Sequence, residues 1–367
     1  MKILAVVFCP PFGAIHDIFI QIVRGLSGNA QVSILCPETL KIADSESFEK
    51  IYKINYDKEN LGSLISSASY QLIQEVAAQK FDVIFFFSQH VLNIPVSLLL
   101  KNAAQVMWWH EPNKKGRTTF FKYLLYIPHD YLLTQQATKI IIACDAMKRM
   151  VPQHLQSKIS VLPFPSCLLH IPLDKRLEID VIAESFDFLF FGKIESYKGL
   201  SVLAQSIEWL YDRGYRPTLN VIGMGDMSKH CPQLLRLAEK YPQEITISNS
   251  FASEEMIVAA MQQSKIVVLP YLTATGTTTV QIAYEQYKPV IATQTGCFQN
   301  HVIDGKTGWL VPPSDFLALA GALKKVLDDP EKTYSMGESA HQYFMENFTR
   351  EVVTTKLMET FSSCMMK

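Results

Sequence analysis

Short apolar runs recur along this chain at intervals filled by helical patterns, and that alternation restricts its fold more than any other feature. Ile3 to Phe8, Gln31 to Leu35, Asp82 to Phe87, Gln105 to Trp109 and Lys139 to Ala143 read as strands, and stretches such as Leu61 to Lys80 between them read as helices. The rhythm predicts a parallel sheet covered by helices on both faces. It fades in Val161 to Asp174, which carries Pro163, Pro165 and Pro172, and restarts with Phe186 to Phe191, Thr218 to Ile222, Ile245 to Ile247, Ile266 to Leu269 and Pro289 to Ala292. At 367 residues the chain is too long for one ordinary core. The reading is of two doubly wound α/β domains, residues 1–170 and 171–345, facing each other across a cleft. The tail 346–367, helical in pattern from Arg350 to Phe361, is placed as a helix that crosses back to the first domain.

In an open α/β sheet, ligands bind beyond the carboxyl ends of the strands, so the residues just after each strand are the first candidates for a site. Phe190-Phe191-Gly192-Lys193-Ile194-Glu195-Ser196-Tyr197-Lys198-Gly199 leaves a strand, turns at Gly192 and presents two lysines five residues apart. A helix with apolar positions Leu200, Leu203, Ile207 and Leu210 follows. Lysine there is a point charge for phosphate, and a helix N-terminus adds partial positive charge; ordinary loop lysines look the same. Val221-Ile222-Gly223-Met224-Gly225-Asp226 ends another strand in a Gly-x-Gly turn, either a place of close ligand approach or a plain tight turn. After Pro270-Tyr271, the run Thr273-Ala274-Thr275-Gly276-Thr277-Thr278-Thr279 leads into a helix from about Val280 to Tyr287. Such a turn exposes N–H groups and hydroxyls to an anion, and it serves equally as a helix cap with no ligand.

Taken in order, Phe-Gly-Lys with Lys-Gly, Val-Ile-Gly-Met-Gly, Ser253-Glu254-Glu255-Met256, Lys288-Pro289-Val290-Ile291-Ala292-Thr293 and Asp304-Gly305-Lys306-Thr307-Gly308-Trp309-Leu310-Val311-Pro312 form a set. It resembles the nucleotide-sugar domain of retaining glycosyltransferases with the GT-B fold, family four (glycosyl transferases group 1). The resemblance covers about Phe186 to Asp315; the first half matches only in rhythm and in its glycine turn near Gly13. It implies transfer of a sugar from a nucleotide diphosphate donor, of UDP or GDP type, with retention of configuration and no bound metal. The sequence holds no Asp-x-Asp pair. By the same resemblance Lys193 stands where the family has arginine or lysine and Lys198 where it has lysine, both on the donor diphosphate. Gly223, Gly225, Thr277, Thr278, Gln281 and Glu285 complete the expected nucleotide-sugar site. The family's two glutamates, eight positions apart, fall on Ala274 and Ile282 here, and Tyr287 replaces the glycine that usually precedes the Pro-Val pair. Some relatives lack the glutamates and keep a small-residue turn with glutamine in the helix.

In the first half, Trp108-Trp109-His110-Glu111-Pro112 closes a strand. The resemblance makes His110 the group that contacts the donor sugar and the reacting centre, although a lone histidine is often structural. Gly13, in the turn after the first strand, either admits the donor phosphates or simply makes the turn. Residues 114–126 mix four basic residues with aromatics and leucines, a composition suited to an anionic membrane surface or a lipid-linked acceptor, and also to a solvated loop leading into a core helix.

A net charge of −1 leaves no global electrostatic footprint for nucleic acid. Although 48% of residues are hydrophobic, no apolar run reaches the roughly 18 residues that span a bilayer, and Pro10, Pro11 and Gly13 break the first run before a signal peptide forms. The expected location is the cytoplasm, with at most a peripheral contact at the inner membrane face. Seven scattered cysteines show no metal-ligand spacing and read as reduced, mostly buried small hydrophobes. The expected function is therefore a metal-independent hexosyltransferase-type enzyme of polysaccharide biosynthesis, moving sugar from a nucleotide-sugar donor to a glycan or lipid-linked acceptor. Two alternatives stand beside it: a non-catalytic degenerate relative acting as a partner protein, motivated by Ala274 and Ile282, and a nucleotide-sugar epimerase, for which no convincing carboxylate set is present. A Rossmann dehydrogenase is disfavoured because no Gly-x-Gly-x-x-Gly follows the first strand.

Overall fold

The computed structural model describes residues 1–11, 13–42, 48–55, 67–112, 120–168 and 186–365. The chain divides into two compact units, Met1–Cys167 with Thr349–Lys367, and Leu168–Phe348. The junctions fall at 167/168 and 348/349 rather than at the 170/171 and 345/346 read from the sequence.

The first unit holds β1 (Lys2–Val6), β2 (Gln31–Pro37), β3 (Lys50–Ile54), β4 (Val83–Phe86), β5 (Ala104–Trp108), β6 (Lys139–Ile142) and β7 (Ile159–Val161). All pairings are parallel, in the order β3-β2-β1-β4-β5-β6-β7. The chain runs outward from β1 to β3 and then returns to lay β4 beside β1. The switch point, where strand-end loops diverge and leave room for a ligand, is therefore between β1 and β4. Both strands are covered on both faces, and Ile3 to Val6 and Val83 to Phe85 are fully buried. The sequence reading missed β3 and β7. Both lie at sheet edges, where half-burial interrupts the apolar run, and β7 is only three residues long.

The helix Arg350–Met365 completes this unit: Val353, Leu357 and Phe361 are buried, and the Phe361 ring meets Phe85 edge-on at 5.4 Å. It approaches the helix Ala14–Ser27 so closely that a Cβ on Gly25 would come within 2.5 Å of the Thr354 methyl.

The second unit holds β8 (Phe186–Phe191), β9 (Leu219–Ile222), β10 (Ile245–Ser248), β11 (Ser264–Leu269), β12 (Val290–Thr293) and β13 (Gly308–Val311). They form a second all-parallel sheet, ordered β10-β9-β8-β11-β12-β13, with its switch point between β8 and β11. Leu200, Leu203, Ile207 and Leu210 form the buried stripe of the helix Leu200–Tyr211, as their spacing requires, and Ser206 ties that helix to Phe316 by a 2.9 Å hydrogen bond. Strand β13 had been read only as a motif. Its Gly308 is needed because a Cβ there would lie 2.1 Å from the Val290 carbonyl oxygen.

Among the described residues no helix is long and apolar enough to cross a membrane. Cys36 and Cys231 carry free thiols. Cys144 and Cys297 are not free thiols, which corrects the all-reduced reading for those two.

Candidate functional site

At the carboxyl edge of the second sheet, three strand-end turns are stitched together through their backbones. The Gly192 N–H donates to the Ile222 carbonyl at 2.9 Å, Ile194 N–H to Met224 at 3.0 Å, and Gly223 N–H to Ser248 at 3.0 Å. A Cβ on Gly223 would stand 1.8 Å from the Gly192 oxygen, and one on Gly225 2.3 Å from the Ile194 oxygen. What these two glycines admit on that side is the neighbouring turn of the protein itself. Gly199, with φ +71, does the same toward β11: its Cβ would lie 1.8 Å from the Pro270 oxygen. Leu272 N–H closes the join by donating to the Tyr197 carbonyl at 2.8 Å.

This stitching carries the two lysines to different surroundings. Lys193 is 69% exposed and paired with Glu195, whose hydrogen bond and charge raise the lysine pKa. With Glu195, Ser196, Asp226 and His230 it lines a cavity of ≈ 480 Å³, in which Ser196 Oγ lies 2.7 Å from His230 Nδ1. The single 3-10 turn Ser196–Lys198 then sends Lys198 inward, where it is buried. Its Nζ donates to the Tyr271 hydroxyl at 2.6 Å and lies 3.9 Å from the centre of that ring. The Tyr271 hydroxyl is also hydrogen-bonded to the Thr279 side chain, and burial pushes its pKa up. Thr279 Oγ1 is 3.0 Å from Thr277 Oγ1, and Thr279 N–H donates to Thr277 Oγ1 at 3.3 Å. The structure thus joins Lys198 to the Thr277-Thr278 turn and leaves Lys193 with Gly225 in the cavity.

Thr278 caps the helix Thr279–Glu285, which runs two residues short of the expected end and is buried at every position. Gln281 and Glu285 lie one turn apart along it. Ala274 and Ile282, the positions of the family's glutamates, are both buried, so apolar groups occupy them. Tyr287 has φ 57, a left-handed conformation that explains why glycine is usual there. The tyrosine is held by stacking on His341 at 3.7 Å, and His341 Nδ1 bonds the Tyr284 carbonyl at 3.2 Å.

At the carboxyl edge of the first unit, side chains add to the backbone bonds that join the strand ends, such as Phe87 N–H to Val6 at 2.9 Å. His110 follows β5 with its ring between Phe87 at 4.7 Å and Phe164 at 5.3 Å. Its Nε2 donates to the Phe87 carbonyl, which fixes the tautomer. Beside it Asp130 accepts from Gln89 at 2.7 and 2.9 Å, from Trp109 Nε1 at 3.3 Å and from His129 Nδ1 at 2.8 Å. His129 is fully buried, and its Nε2 accepts the His90 N–H at 3.2 Å. Gly13 precedes the helix Ala14–Ser27 with φ 95 and open space where a Cβ would stand. Of the segment 114–126, residues 114–119 lie outside the described residues, and the remainder begins the helix Phe120–Gln136.

Sequence reading passed over Tyr271, His129 and Asp130. A signal existed only for Tyr271, a polar aromatic just past the apolar end of β11, after Pro270. His129 and Asp130 are recognisable only from their partners on other elements.

Comparison with known proteins places this geometry among relatives. Over 99% of this chain and 100% of theirs, the fold is shared with HepE of Anabaena, solved in complex with UDP, at a TM-score of 0.72 and 16% identity. Sucrose-phosphate synthase from Thermosynechococcus elongatus matches 99% of the chain and 98% of that protein, at 0.71 and 16%. The fold is that of GT-B glycosyltransferases, with two Rossmann-like units on parallel sheets. A D-inositol 3-phosphate glycosyltransferase of Corynebacterium urealyticum is 28% identical over 173 residues, 45% of this chain and 41% of that protein. CapM of Staphylococcus aureus, a capsular polysaccharide biosynthesis glycosyltransferase, is 21% identical over 256 residues, 66% of each. The chain therefore spans less than half of the first relative and about two thirds of the second. Residues 185–329, the body of the second unit, match the family model of Glycosyl transferases group 1.

Proposed function

We propose that the chain is a retaining glycosyltransferase that takes a sugar from a UDP- or GDP-sugar and transfers it to a glycan or lipid-linked acceptor. The observation that carries the proposal is a coincidence of place: the family match falls on the unit whose strand ends gather Lys193, Lys198 and the threonine turn. Breaking the bond between sugar and diphosphate leaves charge on the departing nucleotide. Cations and N–H groups fixed in advance stabilise that charge without reorganising. Lys193 and Lys198 supply the cations, and Thr277 and Thr278 supply hydroxyls and N–H groups. Gln281 and Glu285 take over donor contacts that the family's glutamates make elsewhere. In the first unit, His110 contacts the transferred sugar and Gly13 leaves room for the donor phosphates. No metal takes part in the proposed reaction, and the segment 114–126 makes a peripheral contact with anionic lipid.

A second reading, a non-catalytic relative, draws on the apolar burial of Ala274 and Ile282. A thermal-shift screen with UDP, GDP and their sugar conjugates tests the shared part of both readings, because a ligand of the folded state raises apparent stability by mass action. The enzyme reading expects a shift with at least one diphosphate nucleotide, together with movement of labelled sugar into a lipid or glycan extract. A shift without transfer selects the second reading, and no shift with any nucleotide overturns both.

A further inference from the structure

We infer that Tyr271 is a positioning residue for the diphosphate site, an inference that rests on the nucleotide-sugar reading above. A lysine side chain has four rotatable bonds, and one that binds phosphate reproducibly needs its head group fixed. Tyr271 is well placed to fix it. The segment around Tyr271 grips the backbone of the lysine turn on both sides, through the Pro270 carbonyl packed on Gly199 and the Leu272 N–H bonded to Tyr197. The tyrosine ring is 1% exposed, meets Phe298 at 5.1 Å, and its carbonyl accepts from Thr293 Oγ1 at 2.6 Å. The hydroxyl is thus held still while it accepts from Lys198 and contacts Thr279.

A tyrosine serving only as core filler would give its buried hydroxyl any convenient partner. Here both partners belong to the candidate site, one from the end of β8 and the other from the turn that opens the helix Thr279–Glu285. The hydroxyl therefore links the cation to the threonine turn, so that the two engage the phosphates of a nucleoside diphosphate in one arrangement. The side chain acts through Lys198 and does not itself touch the substrate.

A double-mutant cycle read by calorimetric titration with UDP and GDP tests this. Tyr271→Phe removes one oxygen and keeps the ring, and it should weaken diphosphate binding about ten-fold. In a Lys198→Ala background the same substitution should cost nothing further, which a purely structural role would not produce. If Tyr271→Phe fails to fold, Thr279→Val probes the same link from its other end, with a smaller loss that also vanishes in the Lys198→Ala background. Parent-like binding by Tyr271→Phe, or losses that simply add in the double variant, would overturn the inference while leaving the nucleotide site intact. Parent-like binding by Lys198→Ala would instead remove the nucleotide-site reading, and this inference with it.

Discussion

The carboxyl edges of the two sheets share backbone bonds between strand ends and differ in what is added to them. In the first unit the backbone bonds between strand ends, such as Phe87 N–H to Val6 and Trp109 N–H to Ile141, are reinforced by side chains: His110 packs between Phe87 and Phe164, and Asp130 gathers Gln89, Trp109 and His129. In the second the turns after the strands also press backbone on backbone, with Gly199, Gly223 and Gly225 each standing where a Cβ would strike a carbonyl. A backbone-built edge admits one residue type at each close approach. Reinforcement by side chains has many solutions of similar stability.

The contrast can be broken most sharply at glycine. Gly199→Ala should destabilise the second unit by about 3 kcal/mol or more, since it adds both a positive-φ penalty and a clash with Pro270. Gly13→Ala meets open space and should cost less, about 1–3 kcal/mol, the conformational part alone. Urea unfolding of the two variants decides, and equal costs would contradict the backbone-built description.

At the edge reinforced by side chains, His110→Ala should reduce sugar transfer about a hundred-fold with nucleotide affinity nearly unchanged, as expected for a contact made mainly in the transition state. Parallel loss of melting temperature and nucleotide affinity would make the residue structural. Within the second unit, Lys198→Ala should weaken UDP or GDP binding toward a hundred-fold and Lys193→Ala about ten-fold, both read by titration calorimetry. The order follows from burial: Lys193 is exposed and must leave Glu195 to reach a ligand, whereas Lys198 is already desolvated. The reverse order would contradict the separation of the two lysines.

The smallest effect concerns His341, whose pKa burial lowers from its ordinary 6.5. The folded chain binds that proton less readily than the unfolded chain, so the contribution is fully present above about pH 6.5 and is lost as pH falls through the lower folded value. His341→Phe keeps an aromatic partner for Tyr287 and should flatten the slope of stability between neutral pH and about pH 5 relative to the parent. An unchanged slope would show that His341 is not a source of it.

What the sequence disclosed follows the same division. The strand Phe186–Phe191, the helix after Gly199 and the threonine turn were legible because short apolar runs and glycine turns are local signals. The edge strands β3 and β7 were not, because half-exposed residues dilute the pattern. Lys193 and Lys198 read as one pair by spacing, yet one tight turn separates an exposed cation from a buried one. The links from Lys198 to Tyr271 and from Asp130 to Gln89 and Trp109 join residues through side-chain contacts that no spacing rule encodes.

The central claim, a metal-independent sugar transfer whose diphosphate is held by the second unit, is tested most directly by following label from UDP- and GDP-sugars into acceptor extracts in the presence of EDTA. The account predicts transfer by the parent under chelation and its loss in Lys198→Ala. Transfer that requires added Mn²⁺ or Mg²⁺, or that proceeds at the parent rate in Lys198→Ala, would contradict it.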